Sequence, residues 1–210
     1  MTFCDIHTHT PSLHSEDITV INRIVDENDT PLNAPLQSIG IHPWYIYNVK
    51  KQMEALGEAA SHTNVVAIGE VGFDKLARSP LQLQKEVFLL QARLAEEIHK
   101  PLIVHCVKAW EELLAVKKEV GPQMTWIIHG FRGNGILAKQ LISQGLYLSF
   151  GANYNPEALV AAWPHSLFTE TDEAPVDIRQ IYQQIAASLQ VEDEVFAAQV
   201  KENVRDYLLG

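Results

Sequence analysis

Histidines 7 and 9 stand two residues apart in MTFCDIHTHT, at the end of a short β-type run. Alternate residues of a strand project to the same face, so both imidazoles can reach one point. Five further runs end in the same way. His42 follows QSIGI, Glu70 follows VVAIG, His105 closes PLIVH, His129 closes TWIIH, and Asp172 follows LFTET. Imidazole and carboxylate together suit zinc, manganese, iron or another divalent cation, and no pattern of cysteine ligands accompanies them. A lone strand-end histidine is usually hydrogen-bonded or exposed, and a lone acid after a strand is usually a turn residue. Six such positions in one chain point instead to a metal centre. His14, His62, His99 and His165 fall in loops or on helix faces and stay outside it.

The elements that must deliver these side chains alternate. Candidate strands are Phe3–His7, Ile18–Val25, Gln37–Ile41, Val65–Gly69, Leu102–His105, Thr125–His129, Leu146–Phe150 and Leu167–Thr169. Several are almost wholly apolar, as strands covered on both faces of a parallel sheet are. Helices are expected over Val49–His62, Pro80–His99, Ala109–Val120, Gly135–Gln144 and Val191–Leu209. In Pro80–His99 the apolar face reads Leu83, Val87, Leu90, Leu94 and Ile98. Gly121-Pro122 is a helix stop. Eight strands alternating with helices predict an α/β fold, a TIM-like (β/α)8 barrel whose strand C-termini converge on one mouth where active sites are built. The first third fits less well. Thr10–Asp17 and Asp26–Leu36 are each shorter than the dozen or so residues a parallel crossover needs, so either helices are missing there or the second strand pairs differently. No repeat, low-complexity tract or linker divides residues 1–210, which read as a single domain.

The chain has 210 residues with 26 acids against 16 bases, and its formal net charge of −10 works against a broad electrostatic grip on nucleic acid. Among residues 170–210 nine acids face three bases, so any basic cleft is expected elsewhere. A chain of this length buries about 70% of its unfolded surface and needs no disulfide to fold. Cys4 and Cys106 form no CxxC pair and fit two reduced thiols in a cytoplasmic compartment. No secretory leader is expected at the start, where Asp5 interrupts a run with no basic region. No apolar stretch is long enough for a membrane span.

Ordered motifs then carry a resemblance. DIHTHT (5–10), GIHPW (40–44), AIGEVGFD (67–74), PLIVHCVKAW (101–110), IIHGFRGN (127–134), LYLSFG (146–151) and ETDEAP (170–175) together resemble the TatD family of metal-dependent deoxyribonucleases, within the amidohydrolase-like metallohydrolases. The resemblance implies a TIM-like barrel and two divalent metal ions, Mg, Mn or Zn. His7, His9, Glu70 and Asp172 would hold one ion, and Glu70, His105 and His129 the other, with Glu70 shared. His42 would stand beside them and touch substrate. The chain departs from the family twice. A loop with a G-x-R-N-x-P motif is absent, and the basic residue often found two positions after the fourth-motif histidine is Val107, followed by Lys108.

The chemistry expected is hydrolysis by metal-activated water, with Glu70 and Asp172 catalytic and Asp172 accepting the proton. A phosphodiester, DNA or a small analogue, needs cations near the mouth. Lys75, Lys108 and Arg132 are candidates, against a default of solvated surface cations. Asn134 and Asn153 are weaker ones. Trp44 and Phe131 could stack on an unpaired base, although packing is their commoner role. A competing reading is a metallohydrolase acting on a small amide, lactone or phosphate ester, since fold and metals do not fix substrate. A non-catalytic metal-binding protein would not need the whole ligand set. No protein partner or membrane is implied.

Overall fold

The computed structural model describes residues 1–25 and 36–210. All but the last residue of the expected connection Asp26–Leu36 therefore lies outside the described residues. Among the described residues eight strands are present: β1 (Cys4–Thr8), β2 (Ile18–Ile24), β3 (Leu36–Gly40), β4 (Val65–Asp74), β5 (Leu102–Val107), β6 (Trp126–Ile128), β7 (Tyr147–Phe150) and β8 (Leu167–Thr169). Their order in the sheet follows the chain, and each pairing described between neighbours is parallel. Among the described residues seven helices accompany them: α1 (Val49–Ala60), α2 (Leu81–Glu97), α3 (Trp110–Val120), α4 (Gly135–Ser143), α5 (Pro156–Ala162), α6 (Ile178–Leu189) and α7 (Asp193–Tyr207). This is the (β/α)8 arrangement expected. Contacts group the chain into two compact units, Met1–Ile21 with Ile127–Gly210, and Asn22–Trp126.

In the first unit β8 returns beside β1. The amide of Asp172 donates to the His7 carbonyl at 2.9 Å, and the Thr169 hydroxyl donates to the Cys4 carbonyl at 2.7 Å. β1 pairs with β2 across residues 9–17 without an intervening helix, so of the two alternatives for the short first connection, the missing helix is correct. Behind these strands α6 and α7 bury Ile181, Tyr182, Ile185, Phe196 and Val200. The Tyr182 hydroxyl accepts from the Cys4 amide at 2.9 Å and anchors the start of β1. Burial pushes the neighbouring Cys4 thiol up to about 12. α5 was not foreseen. Its signal is local: Asn155 accepts from the amides of Glu157 and Ala158, and Pro156 supplies the preset φ of a first helical residue.

In the second unit the sequence misplaces two features. β4 runs five residues past Gly69 and β5 two past His105, so Glu70 lies inside its strand rather than after it, and His105 inside its strand rather than at its end. Val71 and Phe73 prolong the β-type alternation, and pairing with β5 continues from Val71 to Asp74. The buried stripe of α2 is also rotated from the expected one. Gln84, Val87, Phe88, Gln91, Ala92 and Ala95 face inward, while Leu90 is exposed. Small alanines let the helix approach the sheet, and the two glutamines answer backbone groups there. Gln91 accepts from the Ile41 amide at 2.7 Å and donates to the Ile41 carbonyl at 3.1 Å. Gln84 does the same for Asp74, at 2.8 and 3.0 Å. α1 contributes a third buried glutamine, Gln52, which donates to the Tyr45 carbonyl at 2.8 Å.

Gln91→Met keeps the length of the side chain but strands both backbone groups of Ile41 in the core. Unfolding in urea is expected to show a loss of about 1–3 kcal/mol for each group left unpaired; an unchanged midpoint and slope would remove the glutamine clamp from the account.

Candidate metal centre

Within the first unit, β1 changes register between Asp5 and Thr8, around His7. Such irregularities re-aim side chains at the ends of strands. His7 is fully buried; His9 lies just past β1 and is partly exposed. Both Nε2 atoms stand 3.6 Å from the same oxygen, Oδ1 of Asp172. Asp172 itself adopts a left-handed backbone with φ 54°, uncommon for a residue other than glycine. It is held there by bonds from its amide to His7 and from the His9 amide to its carbonyl. One residue before it, Thr171 donates through its amide and hydroxyl to the two oxygens of Asp5, at 3.0 and 2.6 Å. Burial pushes Asp5 up to about 7 despite these bonds. The imidazole pair and the carboxylate thus form one cluster whose ligand atoms all lie within 4.8 Å of one another.

A second group shares Asp172. His129 follows β6, and Glu170 follows β8 with its side chain fully buried. His129 Nδ1 is 3.6 Å from Glu170 Oε1, which accepts from the Gly130 amide at 2.6 Å. Glu170 Oε2 is buried with no hydrogen-bond partner among the described residues.

Within the second unit, β4 breaks register between Ile68 and Val71, around Glu70. Glu70 Oε1 accepts from Asn22 Nδ2 at 2.8 Å, and the Ser38 hydroxyl fixes Asn22 by donating to its Oδ1 at 3.1 Å. Glu70 Oε2 lies 3.4 Å from His42 Nε2 and 3.3 Å from His105 Nδ1. The other nitrogen of His42 accepts from the Trp44 amide at 3.2 Å, so the ring proton belongs on Nε2, facing Glu70. The other nitrogen of His105 is 3.1 Å from Asp74 Oδ2, which also accepts from the Trp44 indole at 2.6 Å. Gly72, at φ 150°, lies directly against the His105 carbonyl where any Cβ would collide. Burial pushes Asp74 up, but bonds from Trp44, the Leu76 amide and His105 outweigh it and hold the carboxyl below its usual value.

The structure brings His7 and His9 together with Asp172, and Glu70 together with His42 and His105. Lys108 is exposed with a left-handed backbone. Arg132 is exposed and lines a cavity of about 350 Å³ with Asn153, Glu170, Asp172 and Glu173. Lys75 is tied to Glu112 at 2.6 Å, and Asn134 caps α4. Phe131 is buried against Phe150, as packing predicts. Trp44 is exposed on its rim but tethered through its indole. Sequence reasoning passed over Asn22, Asp74 and Glu170. The first is a lone amide in the apolar run ITVINRI, and the other two are acids at strand ends, the same signal that marked Glu70 and Asp172.

The donors present fit a divalent cation, being imidazole nitrogens and carboxylate oxygens with a buried, unsatisfied Glu170 oxygen beside them. The family model described as TatD related DNase matches residues 22–208. The chain belongs to this family. It is 31% identical over 191 residues to the Bacillus subtilis protein named uncharacterized metal-dependent hydrolase YabD, covering 80% of this chain and 75% of that one. A human protein named 3′-5′ RNA nuclease TATDN2 is 34% identical over 118 residues, 54% of this chain but 16% of its own length. A Rahnella protein named 3′-5′ ssDNA/RNA exonuclease TatD is 35% identical over 115 residues, covering 53% of this chain and 41% of that one. In fold, the chain is similar to the Escherichia coli TatD homologue YJJV, with a TM-score of 0.82, 19% identity and coverage of 99% of this chain and 98% of that one.

An acid whose folded pKa lies below its unfolded value stabilises the folded state above the unfolded value, and that contribution fades as the pH falls through the folded one. For Asp74 the window opens downward from about pH 4. In metal-stripped protein, Asp74→Asn is expected to lose about 1–3 kcal/mol at pH 5 to 7 and to show a shallower decline than wild type between pH 5 and 3. Parallel declines in urea titrations would contradict the assignment of Asp74 as the acceptor for Trp44 and His105.

Proposed function

We propose that this chain is a divalent-metal-dependent phosphodiesterase that cleaves DNA. The observation that carries the reading is the pair of imidazoles, His7 and His9, each 3.6 Å from a single oxygen of Asp172. His7, His9 and Asp172 in one unit, Glu70 and His105 in the other, and His129 act as ligands. The names of the human and Rahnella relatives support a nucleic-acid substrate. Bound divalent ions lower the pKa of a coordinated water towards 7 and stabilise charge on a phosphoryl oxygen.

The protein's own groups do the rest. Asp172, about a third exposed, accepts the proton of the attacking water. Asn22 and His42 hold Glu70 from two sides, so its oxygens stay fixed during turnover. Arg132, in the cavity that Asp172 also lines, meets the anionic phosphate, and Lys108 extends that positive rim. The free, raised thiols of Cys4 and Cys106 fit a reducing cytoplasm and take no part in the chemistry. A second reading, hydrolysis of a small amide, lactone or phosphate ester, gains support from the same cavity, where Glu170, Asp172 and Glu173 outnumber Arg132.

Incubation of the purified protein with 3′-labelled single-stranded DNA and Mg²⁺ or Mn²⁺ is expected to cleave the strand, releasing the label in shorter products, and EDTA to stop it. His9→Ala or Glu70→Ala should cut the rate by at least about 100-fold with the far-UV circular dichroism unchanged. Retained cleavage by either variant in metal-replete buffer would refute the ligand assignment. Turnover of a lactone or amide panel with intact DNA would establish the second reading instead.

A further inference from the structure

Trp44, Tyr45 and Tyr47 follow His42 in the connection after β3, and all three are more than half exposed, at 55, 51 and 56%. Exposed apolar side chains scattered singly need no explanation, whereas a cluster of them marks a binding surface. These rings are carried on a fixed backbone. The Trp44 amide donates to His42 Nδ1 at 3.2 Å and its indole to Asp74 Oδ2 at 2.6 Å. The Tyr45 ring lies 5.7 Å from the His42 ring. Gln52, fully buried, donates to the Tyr45 carbonyl at 2.8 Å and accepts from the Tyr47 amide at 3.2 Å. The Ser79 hydroxyl donates to the Pro43 carbonyl at 2.6 Å and so ties the connection after β4 to the same corner. Charge sets this corner apart from the rest of the chain. Residues 43–53 and 75–80 carry Lys50, Lys51, Lys75 and Arg78 and no acid, in a chain with 26 acids against 16 bases. Lys50 and Lys75 face Glu54 and Glu112, at 3.9 and 2.6 Å, and Lys51 and Arg78 are exposed.

We infer that Trp44, Tyr45 and Tyr47, with Lys51 and Arg78, form a binding surface for single-stranded DNA: the rings stack on unpaired bases and the cations meet phosphates. Nucleobases are flat and their backbone is anionic, so a rigid aromatic surface flanked by positive charge matches both. An apolar partner would use the rings and gain nothing from a corner without acids. The surface adjoins the candidate site. His42 Nε2 is 3.4 Å from Glu70 Oε2, and the Asp74 oxygen that holds Trp44 is 3.1 Å from His105 Nε2. A strand stacked on the rings therefore passes beside Glu70 and His105. Duplex DNA keeps its bases paired and stacked, so the surface selects single strands. The inference deepens the phosphodiesterase reading, on which the choice of DNA as the ligand rests.

Binding in EDTA, where the strand stays uncut, reads this surface apart from turnover. In fluorescence anisotropy, wild type is expected to bind a labelled oligothymidylate at least about 5-fold tighter than an abasic oligomer of equal length, which has the phosphates without the bases. Tyr47→Ala should weaken oligothymidylate binding by about 5-fold or more and abasic binding little, and Tyr47→Phe, which keeps the ring, should bind as wild type does. Lys51→Ala and Arg78→Ala should each lower the slope of log affinity against log salt by about 0.7 for both oligomers. Equal wild-type binding of the two oligomers overturns the inference, as does unchanged affinity in Tyr47→Ala. So does a wild-type dimer that Tyr47→Ala converts to monomer in sedimentation, which would assign the rings to a second copy. A strand held in EDTA as expected but left intact in Mn²⁺ removes the phosphodiesterase reading and keeps the surface. A strand cleaved in Mn²⁺ by a protein whose binding ignores these substitutions does the reverse.

Discussion

Gln91 holds both backbone groups of Ile41, Gln84 holds both of Asp74, and Asp5 takes the amide and hydroxyl of Thr171. These bonds answer one constraint. A strand that bends its end, or breaks register, to aim an acid or an imidazole inward gives up regular pairing there, and buried amides and carbonyls cannot be left without partners. β1 breaks register around His7 and β4 around Glu70. Polar yet buried side chains answer such backbone groups near the strand ends, at Ile41, Asp74 and Thr171.

The same logic extends from backbone to side chain. Glu70 is held by Asn22 and His42, His105 by Asp74, and Asp74 by Trp44 and Gln84. Groups fixed in this way lose little orientational freedom when a cation or a phosphate arrives, so their electrostatic work is done with the protein already arranged. Left-handed backbone at Asp172 and Lys108, residues after β8 and β5, is local strain of the kind that accumulates around functional sites.

The ionisable residues were legible because position in a strand is legible. An apolar run followed by a histidine or acid declares where a side chain leaves a sheet, and His7, His9, His42, Glu70, His105, His129 and Asp172 were singled out first on that ground. Strand ends were harder. The run VVAIG reads as complete, yet Val71 and Phe73 carry β4 onward because β5 pairs with them, and pairing partners far along the chain leave no local mark. The face of α2 was misread for a related reason. Leucines at helical spacing suggest the core, but the space beside the sheet is filled by Ala92, Ala95 and two glutamines whose partners are backbone groups of distant residues. Hydrophobic periodicity detects what is driven from water; it does not detect what is recruited by an unpaired amide.

The proposed chemistry would turn on divalent cations held by these donors, and crystals soaked in Mn²⁺ test that proposal most directly. Anomalous difference maps are expected to place a peak about 2.0–2.3 Å from Nε2 of His7 and His9 and from a carboxylate oxygen of Asp172, and ordered manganese within the same distance of Glu70 and His105. Maps showing Mn²⁺ only at surface acids, with these side chains unmoved and uncoordinated, would contradict the account.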